Sequence, residues 1–182
     1  MPRVSFYTFA VGKGALDSEV MSGFVAMIPS VFGEAEGSGG FLGRAVLPDR
    51  TRPPFGQDFG PWGVFGVPRF YDGGTEPGQV TVASTLSLWR DIEAVRCFAY
   101  GGLHKAALAK RGEWFRRPEW PTYVMWWVAD EETPTWAEAS RKLEALHDLG
   151  PTLSAFNFKI PFDPQGRQLR HASAAAGRVH GI

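Results

Sequence analysis

Cysteine is nearly absent: Cys97 is the one cysteine in 182 residues. No intrachain disulfide framework can form, and a reducing, cytoplasmic setting is expected. Long apolar runs are missing too, since no stretch approaches the roughly 20 residues needed to span a bilayer. The N-terminal MPRVSFYTFAVGKG has no basic segment followed by an apolar core and a small-residue cleavage site, so no secretory signal is expected. Neither sign of charge is in excess: 19 basic and 19 acidic side chains cancel. No net field therefore draws nucleic acid or an anionic membrane. Metal-ligand spacing is also lacking. His104, His147, His171 and His180 form no HxxxH, HExxH or Cys-His pattern. There is no nucleophile elbow, P-loop or GxGxxG after a strand, and Asp130, Glu131 and Glu132 read as a solvated turn. What remains is a soluble domain of ordinary globular composition, 44% hydrophobic and 21% charged.

Aromatic residues are plentiful, at 14% of the chain with seven tryptophans. Such side chains either line a pocket for a flat, greasy ligand or build a heavily aromatic core and subunit interface. Residues 4–10 (VSFYTFA) read as a first strand ending at Gly12 and Gly14. Asp17 or Ser18 caps a helix with Val20, Phe24, Ile28 and Val31 on its apolar face, which Pro29 should kink or end. Residues 41–47 form a second strand. Residues 48–78 then mix proline and glycine with Phe55, Phe59, Trp62, Phe65, Phe70 and Tyr71, the texture of a long loop. A flap over a pocket or an arm to a partner subunit fits that composition.

Residues 79–88 alternate as a strand, and Asp91 caps a helix running to about residue 110. Residues 122–129 (TYVMWWVA) make an apolar strand. Thr135 to Glu138 is a capping box opening a helix that stops at Gly150-Pro151, and residues 154–159 (SAFNFK) form a last strand. The fold class expected is α+β: a ferredoxin-like βαβ-βαβ sheet over residues 1–162, with the 48–78 loop inserted and a loose tail at 163–182. Helices on one face leave the other uncovered, so a homodimer pairing two sheets is expected.

Chemistry concentrates on the second helix. Cys97, Tyr100, His104, Leu108 and Arg111 recur every three or four residues and so share one face of a continuous helix. On that face His104 can serve as general base, as donor to an anionic intermediate or as axial haem ligand. It can equally be a half-buried histidine bonded to a carbonyl. Gly101 and Gly102 let a flat ligand or a backbone come close. Arg111, beside Trp114 and Phe115, can bind a carboxylate or stack on a ring. Trp126 and Trp127 are adjacent in a strand and must face opposite sides.

The stretches SLWRDIEAVRCFAYGGLHKAALAKRGEWF and YVMWWVADEETPTWAEASRKLEALHDLGPTLSAFNF carry several motifs in order. Their anchors are Trp89, Glu93, Phe98, Tyr100, His104, Arg111, Trp114, Phe115, Trp126, Trp127, Thr135, Glu138 and the GPT at 150–152. On these the chain resembles an uncharacterised bacterial family of the dimeric α/β-barrel superfamily. The resemblance is good over about residues 80–160 and looser over the first forty. Ala129 stands where that family has proline, and the 48–78 loop is longer than the family pattern. Similarity in fold to antibiotic-biosynthesis monooxygenases, and more distantly to spheroidene monooxygenase, implies an oxidoreductase acting on a hydrophobic aromatic or polyene substrate. Haem-holding members of the superfamily imply that haem, if bound, would be held through His104, the other metal sites being none. Under that reading His104, Tyr100 and Arg111 are catalytic, while Cys97, Trp89, Trp114, Phe115, Trp126 and Trp127 line the pocket. A cofactor-free isomerase or cyclase of natural-product biosynthesis, or a hydrophobic-ligand-binding protein without catalysis, needs the same aromatic cavity.

Overall fold

A computed structural model describes residues 1–75 and 79–169. The chain is α+β. Strands β1 (Arg3–Val11), β2 (Phe41–Arg44), β3 (Val82–Trp89) and β4 (Tyr123–Val128) form one antiparallel sheet in the order β2-β3-β1-β4. Helix α1 (Glu19–Glu36) follows β1, α2 (Ile92–Ala99) and α3 (Gly102–Trp114) follow β3, and α4 (Trp136–Leu149) follows β4. Among the described residues no helix is long and apolar enough to cross a membrane.

The strands alternate with period two, so each feeds two cores. Tyr7, Phe9 and Val11 join Leu86, Leu88, Val124, Trp126 and Val128 on one face, beneath Trp136, Ala139, Leu143 and Leu146 of α4. Val4, Phe6, Trp89 and Met125 occupy the other face with Ala35 of α1, Ile92, Ala94, Val95 and Ala99 of α2, and Phe156 and Phe158. Both faces are therefore covered. The first is filled from within the chain by α4 and by the loop after β2, whose Phe59 and Phe65 pack on Trp136 at ring distances of 5.3 and 4.8 Å. That removes the uncovered face on which the pairing of two sheets was expected. Over its described part the loop puts Phe59 and Phe65 into the core.

Several elements depart from expectation for identifiable reasons. Helix α1 runs through Pro29, which sits on its exposed side, and it buries Met21 and Ala35 while Val20 is exposed. Trp89 ends β3 instead of opening a helix. The helix expected to run to residue 110 breaks at Tyr100-Gly101 into α2 and α3. Residues 154–159 are not a strand: Phe156 exchanges two backbone hydrogen bonds with Met125, at 2.8 and 2.9 Å, before the chain turns away. The start of the expected loose tail is docked, with Asp163 buried in a turn and its carboxylate bound to Arg167. Beyond residue 169 the expected tail lies outside the described residues, as do loop residues 76–78. The caps behave as read: Asp91 accepts from the Ala94 N–H at 2.8 Å and Thr135 from that of Glu138 at 3.2 Å.

Candidate functional site

The break between α2 and α3 decides where the predicted site residues go. A Cβ on Gly101 would lie 2.4 Å from the Cys97 carbonyl oxygen, so this N-cap position of α3 accepts no capping side chain. The cap comes instead from α1. The Glu34 carboxylate accepts from the backbone N–H of Leu103 at 2.9 and 3.1 Å and of His104 at 3.1 Å. It enters through Gly102 (φ +36°), where a Cβ would sit 1.7 Å from Glu34 Oε1. The glycine pair thus admits a carboxylate from within the chain. Four of the orphan N–H groups that every helix start presents lie here, and an anion is favoured at that end of the dipole.

His104 is half-buried against the Phe98 ring, 4.6 Å between centroids. Its Nδ1 lies 2.8 Å from the Ala99 carbonyl oxygen, which can only accept, so Nδ1 carries the proton. In the neutral ring Nε2 then keeps its lone pair. Burial holds the imidazole below its ordinary 6.5; the Ala99 carbonyl and the Glu34 charge oppose that without overcoming it. The ring is neutral at pH 7, with a fixed tautomer and one basic nitrogen.

The other expected residues do not converge on that nitrogen. Cys97 is exposed and its thiol points to Glu93 at 3.8 Å. Arg111 is exposed, reaching back to the Leu108 carbonyl at 3.5 Å. Tyr100 is half-exposed and packs on Phe158. With the helix broken these residues share no stripe. Trp89 is wholly buried, stacked on Phe98 and bonded through Nε1 to Ser87 Oγ at 2.9 Å, a core residue and not a wall. Trp126 is buried on the α4 face of the sheet; Trp127 lies on the α1–α3 face, its indole N–H donating to the Phe162 carbonyl at 2.8 Å. Trp114 and Phe115 both meet Phe24 of α1, at 5.9 and 4.9 Å.

Two ties place α3 along the sheet. At its start His104 packs on Phe98, which stacks on Trp89, the partner of Val4. At its end the Lys13 N–H donates to Trp114 O and the Arg116 N–H to Val11 O. Helix α1 runs alongside in the opposite sense, with Phe24 at the Trp114 end and Glu34 at the Leu103 end. Between the ties this face of the sheet presents Thr8, Ala10, Ala83 and Thr85, all half-buried and small, where neighbouring rows carry Phe6, Trp89 and Met125. Thr8 pairs with both Thr85 and Tyr123, and the two threonine hydroxyls are 2.7 Å apart. The Tyr123 phenol is pushed up to about 12 by burial and accepts from the Phe158 N–H, so it stays protonated. Glu34, Thr8, Thr85, Tyr123 and Phe98 escaped the sequence reading. The available signal was the pair of threonines at core-facing strand positions.

The residues do not fit haem. The imidazole is packed on Phe98, Trp89 is core, and Trp126 faces the other side of the sheet, so the tryptophans expected as walls do not gather about Nε2. No group of three or more His, Cys, Asp or Glu side chains gathers to hold a metal among them either. On the far side, a shallow concavity of about 460 Å³ on α4 is lined by Thr135, Glu138, Arg141, Lys142, Ala145 and Ser154, remote from His104 in the fold.

Residues 3–172 match the family described as "Domain of unknown function (DUF3291)". No curated protein matches. Among solved structures the chain is similar to NE2512, a protein of unknown function from Nitrosomonas europaea, at 10% identity and a TM-score of 0.43, covering 74% of this chain and 96% of that one.

Proposed function

From a chain that belongs to the DUF3291 family, we propose a cytoplasmic small-molecule-modifying enzyme, oxidoreductase-like and free of haem. Its substrate is a flat aromatic or polyene compound lying between the α1–α3 pair and the Thr8–Thr85 floor. The observation that carries the reading is His104: a neutral imidazole whose proton is fixed on Nδ1 and whose Nε2 keeps its lone pair. Such a nitrogen takes a proton from an acidic C–H or phenolic O–H. The strand order β2-β3-β1-β4, with helices crossing between β1 and β2 and between β3 and β4, supports the ferredoxin-like reading of the sheet.

A hydroxyanthrone tests the proposal, because its methylene C–H, across the central ring from the ketone and flanked by two aromatic rings, is acidic and oxidation changes its colour. The C–H proton goes to Nε2, dioxygen takes the electrons, one oxygen atom becomes the new carbonyl and the other leaves as water. Wild type is expected to accelerate quinone formation and His104→Ala to abolish the acceleration with an unchanged circular dichroism spectrum. Full activity in His104→Ala removes the residue from the mechanism. A second reading, binding without catalysis, is favoured by the failure of Tyr100 and Arg111 to approach His104. It predicts anthraquinone binding to wild type and His104→Ala alike, with no turnover by either.

A further inference from the structure

On the opposite face of the sheet from His104, four buried hydrogen-bonding groups have no partner: the Tyr7 hydroxyl, the Trp126 and Trp136 indole N–H groups and the Ser140 hydroxyl. Their residues are at most 7% exposed and belong to, or face, one core. They are also neighbours. Tyr7 and Trp136 meet edge to face at 6.2 Å. Trp136 and Ser140 are one turn apart on α4 and both look down on the sheet. Trp126 is diagonal to Tyr7 on the same sheet face, since Ser5 pairs with Trp126 and Tyr7 with Val124. Burial pushes the Tyr7 phenol up to about 12; the Ser84 and Ser140 hydroxyls lie near enough to temper that, yet neither completes a hydrogen bond with it.

Proteins rarely leave one buried donor idle, and four in one chamber call for a common acceptor. We propose that the sheet–α4 interior is a closed binding site for a neutral oxygen acceptor. The two indoles can only donate and fill the two lone pairs of one oxygen; the Tyr7 and Ser140 hydroxyls, which donate or accept, then bond each other or, where the guest is water, accept its protons. A neutral oxygen is favoured over an anion because none of the four groups is cationic and the nearby Glu144 charge already opposes a phenolate at Tyr7. Two sources supply that chemistry: enclosed water, or the carbonyl oxygen of a small molecule retained under Phe59 and Phe65.

The test uses the full chain labelled with 15N at tryptophan. Rotating-frame cross-relaxation between water and the indole protons of Trp126 and Trp136 is expected if water fills the site. Release of a carbonyl compound on denaturation, read by mass spectrometry, is expected if a small molecule does; either outcome supports the site. Indole protons showing neither a water cross-peak nor a released compound overturn it. Independently, Tyr7→Phe and Trp136→Phe are each expected to lower Tm by about 2–6 °C, and the double variant by little more than either alone, because both remove the same guest. Unchanged or raised melting temperatures in all three mean that the donors were idle and overturn the proposal.

Discussion

Replacing Glu34 by alanine should unseat α3 without touching the sheet. The carboxylate satisfies the Leu103 and His104 N–H groups, the work done elsewhere by an N-cap side chain worth about 1 kcal/mol. Its charge at the positive end of the helix adds about 0.5 kcal/mol. A loss of about 1.5 kcal/mol in a domain of this size corresponds to a fall in Tm of roughly 3–6 °C. Glu34→Gln keeps an acceptor and loses only the charge, so a fall of about 1–2 °C is expected. The same charge supports the imidazolium of His104, so an NMR titration of Glu34→Gln should show the His104 pKa displaced further downward. Scanning calorimetry with histidine NMR reads both effects. A Glu34→Ala protein melting within about 1 °C of wild type, with the His104 titration unmoved, would refute the clamp.

Gly102→Ala should destabilise more than Glu34→Ala, since it both displaces the carboxylate and strains a backbone at φ +36°; in a Glu34→Ala background only the strain should remain, which a double-mutant cycle by calorimetry resolves. His104 has a depressed pKa in the folded state, so the unfolded chain binds the proton more readily below pH 6.5. Stability should therefore rise with pH through the window between the depressed value and 6.5 and level off above it, and urea unfolding of His104→Gln should lack that slope. Pro29→Ala should raise Tm, because a mid-helix proline costs up to about 3 kcal/mol and Pro29 is on the exposed side of α1. Phe65→Ala removes a ring packed on Phe55, Phe59 and Trp136, for about 3 kcal/mol. Limited trypsin digestion should then cut after Arg50 much faster than in wild type; equal rates would mean that the loop is held elsewhere.

The two strongly capped helix starts were legible because Asp91 and Thr135 act through their own side chains on an N–H three residues on. The start of α3 was not, because its cap is supplied by Glu34, 69 residues away from Leu103. Periodicity carried straight across Tyr100-Gly101, since Cys97, Tyr100, His104 and Leu108 keep helical spacing whether or not the backbone does. Strands β1, β3 and β4 showed in their strand-forming composition, and the two-residue period even separated Trp126 from Trp127. The loop's share in covering the α4 face did not show, because Phe59 and Phe65 lie in a segment whose prolines and glycines mask its role in the core. Of the site, His104 and its carbonyl bond were foreseen among the alternatives; the threonine floor was not, because threonine in a strand is ordinary.

Both borders of the sheet are guarded. β2 is only four residues long and three of them pair, with an irregularity between Phe41 and Gly43. Beyond β4 the Phe156 backbone already occupies the Met125 N–H and carbonyl. A stray extended peptide would find no long row of open amides on either flank, which is how natural β proteins keep from stacking into fibres. Extending the sheet is accordingly disfavoured at both flanks of the described residues, and truncating the protein before residue 156 would bare the β4 flank and invite precipitation.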